Sequence, residues 1–244
     1  QLDLNTGSHN QNHIHGGFKG FHQKLWTAEE TDQGVKLTYH AADGEGGYPG
    51  NMTVNVLYSL SNDNELSIRY EAVSDADTVC NLTNHTYFNL NGFASGPVLD
   101  QKIQIFADKY TWADAESLPD GRILDVTGTP MDFRKPKALG KDIKADYDLL
   151  KAGNGYDNHY VTSMKKPNEV TFNARVKDPK SGRVLEVWSD EPGIQVYSGN
   201  FLEVKLPRPR DRLTLAHDPA YIDYRAAVLE FLYEKQAHVE KEAA

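Results

Sequence analysis

Cysteine is almost missing from this chain. Cys80 is the only one among 244 residues, so no disulfide can form within it. That is compatible with a reducing compartment. Long apolar runs are missing as well: no stretch approaches the roughly 20 consecutive apolar residues that cross a bilayer as a helix. No signal peptide is visible after Gln1. The expectation drawn from these absences is a cytoplasmic protein that does not enter the membrane. An excess of positive charge is absent too. Lys and Arg number 26 against 35 Asp and Glu, a net charge of -9. This balance argues against nucleic acid or an anionic membrane surface as the main partner. A neutral small molecule would be indifferent to it. No internal repeat or low-complexity linker stands out, and nothing in the sequence sets an oligomeric state.

What is present up to Leu202 is a series of short strand patterns with turn residues between them. Val35 to Tyr39 alternates apolar and polar residues. Met52 to Leu60 and Glu65 to Val73 do the same and are joined by Ser61-Asn62-Asp63-Asn64, which reads as a hairpin turn. Lys102 to Phe106 is a further strand. Glu169 to Val176 and Arg183 to Trp188 form another hairpin across Asp178-Pro179-Lys180-Ser181-Gly182. Such spacing indicates an all-β sandwich or barrel. Lys137 to Leu150 is the mid-chain segment expected to hold a short helix. After Leu202 the chain turns basic and proline-punctuated from Lys205 to Arg212, the pattern of an extended connector. Asp218-Pro219 then reads as a helix start. Ile222, Ala226, Leu229, Leu232 and Tyr233 recur at helical spacing through the segment that ends at Val239.

Three segments carry the chemistry. Asn84-His85-Thr86-Tyr87-Phe88-Asn89-Leu90 sets an imidazole among amides, a hydroxyl and aromatics. Read as a strand, Leu82, Asn84, Thr86 and Phe88 share one face, and Thr83, His85, Tyr87 and Asn89 the other. The second face suits a polar pocket better than a core, and histidine exchanges a proton near neutral pH. The plainer reading is a partly buried histidine bonded to a neighbour. Asn12-His13-Ile14-His15-Gly16-Gly17 places two imidazoles on one side if it is a strand, followed by a glycine pair that allows a turn. His13 and His15, with His85, are also conceivable metal ligands, but the His and carboxylate spacings match no metal pattern, so no metal is expected. Gly155-Tyr156-Asp157-Asn158-His159-Tyr160 follows Gly153-Asn154 at a loop-to-strand junction, where site residues concentrate. Asp157 there is either a site carboxylate or a turn residue.

In order, these segments resemble the aldose 1-epimerase (galactose mutarotase) family. The similar text runs through Asn12 to Phe21, Leu25-Trp26, Gly46-Gly47-Tyr48-Pro49-Gly50 and Asn81 to Leu90. It continues with Asp132-Phe133-Arg134, Gly155 to His159 and Glu191-Pro192-Gly193-Ile194-Gln195-Val196-Tyr197-Ser198-Gly199-Asn200-Phe201-Leu202. The resemblance implies a large antiparallel β-sandwich over residues 1–202, short of the family's first strands and its Arg-containing sugar motif. Residues 203–244 form a divergent tail with a connector and helix. It implies interconversion of the α and β anomers of a free hexose such as galactose or glucose by acid–base ring opening. No cofactor is needed, because no electron or group leaves. By resemblance, His85 is the general acid at the ring oxygen, and His15 lies near that oxygen. Asp157 and Gln195 hold sugar hydroxyls. Trp26, Tyr87 and Phe88 either cover the C–H face of the sugar or pack in the core. The family's catalytic glutamate should follow Leu202. Its nearest echo is Val228-Leu229-Glu230, which the helical spacing explains more simply. The alternative expectation is therefore a hexose-binding or regulatory relative without the base.

Overall fold

The computed structural model describes residues 13–17, 19–92 and 95–200. The expected connector, the C-terminal helix, Leu202 and Glu230 lie outside the described residues. The described chain forms two compact units, one ending at Thr86 and the other beginning at Tyr87.

The first unit is one antiparallel sheet in the order β1-β2-β3-β4, from Thr27–Thr31, Gly34–Ala41, Met52–Leu60 and Leu66–Ser74. The alternation seen in the sequence decides its faces. Tyr39 stands opposite Val54, and Val54 opposite Ala72. That register buries Met52, Val54 and Val56, with Leu37, Tyr39, Tyr58 and Ile68 packed on them. The opposite face carries Thr38, whose hydroxyl donates to Asn55 Oδ1 at 2.8 Å. The β3–β4 turn is the predicted one: the Ser61 N–H donates to the Glu65 carbonyl at 3.0 Å. Asn64 takes a left-handed φ of 61°, which Asn tolerates better than most residues.

The second unit holds two antiparallel sheets. Strands β5 (Lys102–Ile105), β8 (Lys137–Ala138), β10 (Thr171–Lys177) and β11 (Val184–Ser189) form one, in the order β11-β10-β5-β8. The other, in the order β12-β9-β6-β7, is built from β6 (Lys109–Ala113), β7 (Pro119–Asp125), β9 (Asp157–Val161) and β12 (Gly193–Tyr197). Ile105 and Ala174 from the first sheet pack in one buried cluster with Tyr110 and Tyr160 from the second. The unit is thus a β-sandwich, as expected from the strand spacing. The β10–β11 hairpin closes over Asp178 to Gly182, where the Asp178 N–H reaches the Arg183 carbonyl at 3.0 Å.

Large tyrosines fill this core, and each buried hydroxyl finds a partner, as burial requires. Tyr156 donates to the Pro130 carbonyl at 3.0 Å, and Tyr160 to the Met131 carbonyl at 3.1 Å. The Tyr110 and Tyr147 hydroxyls bond to each other. Burial raises the phenol pKa of Tyr156 and Tyr160, so both stay neutral. The Asp132-Phe133-Arg134 motif is structural. Arg134 donates from Nε and Nη2 to Asp132, from Nη1 to Asp108 and from Nη2 to Thr127. Its side-chain hydrogen bonds first, and then its positive charge, hold the Asp132 carboxyl below the usual range.

Two expectations are corrected. The helix placed within Lys137 to Leu150 is α1, Asp148–Ala152, a single turn or so that overruns that segment, while Lys137–Ala138 is strand. More important, Asn81 to Asn89 is not a strand. Its asparagines compete with a ladder: Asn84 Oδ1 accepts the Thr86 N–H at 3.0 Å, and Asn89 Oδ1 accepts the Asn91 N–H at 3.1 Å. Two-faced alternation therefore does not apply to this run.

Replacing Tyr160 by Phe should leave the Met131 carbonyl short of a donor. A loss of about 1–2 kcal/mol is expected, read from the shift of the urea unfolding midpoint. An unchanged midpoint would show that this hydroxyl does not stabilise the fold.

Candidate functional site

In the first unit the residues nominated by sequence come from two loops. His15 adopts φ 54°, with Gly16 and Gly17 at 82° and 83°. The Gly17 N–H closes this turn on the Ile14 carbonyl at 3.0 Å. The turn separates the two imidazoles that a strand would have aligned, which corrects that expectation. His13 Nε2 pairs with the Tyr48 hydroxyl at 2.7 Å. His15 instead meets His85 edge to face, with ring centroids 5.3 Å apart and planes at 83°. Both His15 and His85 are exposed. The segment bearing His85 is tethered to β3 through Asn84 Nδ2, which donates to the Tyr58 hydroxyl at 3.4 Å. Among the described residues no group of three or more His, Cys, Asp or Glu is arranged to hold a metal ion.

In the second unit the site residues lie on one face of the β9–β12 pair. Asp157 starts β9 immediately after a tight exit from α1. Gly155 has φ 144°, and a Cβ there would come 2.4 Å from Asn200 Oδ1. Glycine is required by both conformation and space. Asn200 Nδ2 donates to the Gly153 carbonyl at 2.7 Å and the Tyr156 carbonyl at 2.9 Å, while Ser198 Oγ accepts the Tyr156 N–H at 3.0 Å. The Ser198-Gly199-Asn200 motif therefore fixes where β9 begins.

From there the pleat assigns every side chain. Asn158 and Tyr160 point into the core and are buried, so Asp157 and His159 point outward. Across the ladder, Gln195 stands opposite His159 and Tyr197 opposite Asp157, which places all four on that outer face. Gln195 Nε2 donates to Asp157 Oδ1 at 2.8 Å. Tyr87 packs its ring edge against Tyr197, centroids 5.8 Å apart. Burial, then the neighbouring Tyr197 and the negative charge of Asp157, raise the Tyr87 phenol pKa. The result is a carboxylate with spare acceptor capacity, an amide oriented by it, and an aromatic wall.

His159 belongs to this face, although sequence reasoning gave it no role. Its Nδ1 bonds the Thr111 hydroxyl at 3.0 Å. Its ring lies over Gly193, where an added Cβ would meet Nε2 at 1.8 Å. Burial lowers its pKa, so the neutral form is favoured. The signal that would have found it is its spacing of two from Asp157 on a strand with one buried face. Trp26 resolves toward packing: its indole N–H donates to the Phe21 carbonyl at 2.9 Å and its ring meets Tyr39 at 5.4 Å. Phe88 is 53% exposed and Tyr87 63%.

Known proteins resemble this chain over most of its length. The family model described as aldose 1-epimerase matches residues 1–225, which extends beyond Leu202. The galactose mutarotase of Rattus norvegicus is 42% identical over 192 residues, covering 79% of this chain and 54% of that protein. The aldose 1-epimerase of Escherichia coli (strain K12) is 37% identical over 192 residues, covering 78% of this chain and 55% of that one. The crystal structure of a galactose 1-epimerase from Lactobacillus acidophilus NCFM superposes with a TM-score of 0.72 at 35% identity, covering 84% of this chain and 58% of that one. The chain thus spans somewhat more than half the length of these relatives.

Gly193→Ala should dislodge the His159 ring. Because burial lowers this pKa, a freed imidazole should titrate higher, toward the ordinary value of 6.5. The sign for stability follows: a depressed histidine loses stability as pH falls below 6.5 through its folded pKa, and the variant should lose less of it there. NMR titration of the His159 ring protons checks this, and an unmoved pKa would refute the close approach.

Proposed function

The chain belongs to the aldose 1-epimerase family, and from that premise we propose that it interconverts the α and β anomers of a free aldohexose. The observation that carries the proposal is the edge contact of His15 and His85 at 5.3 Å. These two imidazoles come from separate motifs and were nominated independently of any geometry.

The chemistry asks for three things. An acid protonates the ring oxygen as the C1–O5 bond breaks. A base takes the proton of the C1 hydroxyl, leaving an open-chain aldehyde. Rotation about C1–C2 and closure on the other face then reverse both transfers. No electron or group is exchanged. His85 is the acid in this reading, since an imidazole is the side chain most often placed to pass a proton to or from a reacting group. His15 shares the ring-oxygen end of the sugar. Asp157 and Gln195 hold hydroxyls, and their mutual hydrogen bond at 2.8 Å fixes which way the amide points. In the family the base is a glutamate beyond the Leu202 motif; its nearest echo in this chain, Glu230, lies outside the described residues. A hexose of galactose or glucose type fits this set, because it requires neither a basic cluster for phosphate nor a charged ligand for a chain of net charge -9.

Polarimetry on fresh α-D-galactose tests the proposal. The chain should speed the decay of rotation, and His85→Ala should reduce the enzymatic rate by about 10²–10⁴-fold. Asp157→Ala should act mainly on KM. A His85→Ala variant at full rate would refute the assigned acid, and sugar binding without any turnover would make the chain a hexose-binding relative.

A further inference from the structure

We propose that His159 is a specificity-determining residue that takes one hydroxyl of the bound aldose. It does so about 7 Å along β9 from the hydroxyl held by Asp157. This inference rests on the aldose reading above and deepens it.

Four observations carry it. First, His159 and Asp157 project from the same face of β9, and Gln195 lies directly across from His159. The imidazole is thus a neighbour of both proposed sugar-holding groups. Second, its posture is built. Thr111 holds Nδ1 at 3.0 Å, and the bare backbone of Gly193 leaves room for the ring to lie across β12. Any larger residue at 193 would push the ring away. Third, the other nitrogen is uncommitted: among the described residues Nε2 makes no hydrogen bond, it rests beside the Gly193 backbone, and His159 as a residue is exposed. Fourth, the neutral ring and the threonine hydroxyl form an adaptable pair. If Thr111 accepts from Nδ1–H, Nε2 accepts; if Thr111 donates to Nδ1, Nε2 donates. A sugar hydroxyl satisfies either tautomer. The separation of two residues along a strand matches the span of one pyranose ring with its substituents. The groups placed against the ring, Thr111, Gln195 and the Gly193 backbone, are uncharged, while Asp157 and Lys109 lie on the same face two residues along their strands. A neutral hydroxylated ligand is therefore the chemical class that fits.

Isothermal titration calorimetry of the intact 244-residue chain with D-galactose and each of its monodeoxy derivatives tests the assignment. In the wild type, the sugar lacking the hydroxyl that His159 takes should bind about tenfold more weakly than galactose. That difference should vanish in His159→Ala and persist in part in His159→Gln, whose amide still donates and accepts. If His159 only props its neighbours, His159→Ala weakens every sugar by one common factor and the deoxy difference survives, which overturns the proposal. If His159→Ala does not fold, Thr111→Val provides the same test, because it frees the ring without touching sugar. It should shrink the same single deoxy difference, and an unchanged difference overturns the proposal. A wild-type chain that binds no galactose overturns the aldose reading itself, and this inference with it.

Discussion

The pairing of β9 with β6 on one side and β12 on the other is the constraint from which the second unit takes its form. Once Asp157 is placed as the first residue of β9, the pleat leaves no choice. Asn158 and Tyr160 must face the core, and Asp157 and His159 must face away. A slip of one residue would bury a carboxylate and an imidazole and expose two core side chains. The fold guards against that slip at both ends. The turn before β9 is clamped by Asn200 and Ser198, and Tyr160 is anchored through its hydroxyl to the Met131 carbonyl. Stability and site geometry are therefore one property here: the bonds that hold Tyr156 and Tyr160 inward also hold the polar face outward.

Most of this was legible in the sequence wherever alternation rules. Met52 to Leu60 became β3 with the bounds expected, because its apolar residues recur every second position and its turn residues allow few alternatives. Asp157 and Gln195 were nominated from separate motifs, and the structure bonds them to each other. The segment around His85 was misread as a strand for a physical reason. Asparagine side chains bond the backbone two residues ahead, and a residue-by-residue polarity pattern does not reveal that competition. His13 and His15 were misread together because the left-handed turn at His15 depends on the glycines after it, not on spacing. His159 carried no flag, since a histidine in a strand is unremarkable until its face is known. The short strands β6, β7 and β12 were missed because loop chemistry interrupts their patterns; Thr111 and Ala113, for example, flank a register shift.

The two candidate groups differ in what holds them. The His15–His85 contact joins two loop segments whose backbones are fixed by local hydrogen bonds and by Asn84 reaching Tyr58. The Asp157–Gln195 pair sits on adjacent strands with a packed core beneath it. Loops suit a proton donor that must adjust as bonds break, and strands suit groups that must hold hydroxyls in a fixed pattern.

The central claim is that the outward face of β9 and β12 receives the sugar. Side-chain amide NMR during a D-galactose titration examines it most directly, because Gln195 and Asn158 lie on opposite faces of the same strand pair. The account predicts that the Gln195 side-chain NH₂ signals shift with saturation while those of Asn158 stay in place. Galactose binding that leaves the Gln195 signals unmoved would contradict it.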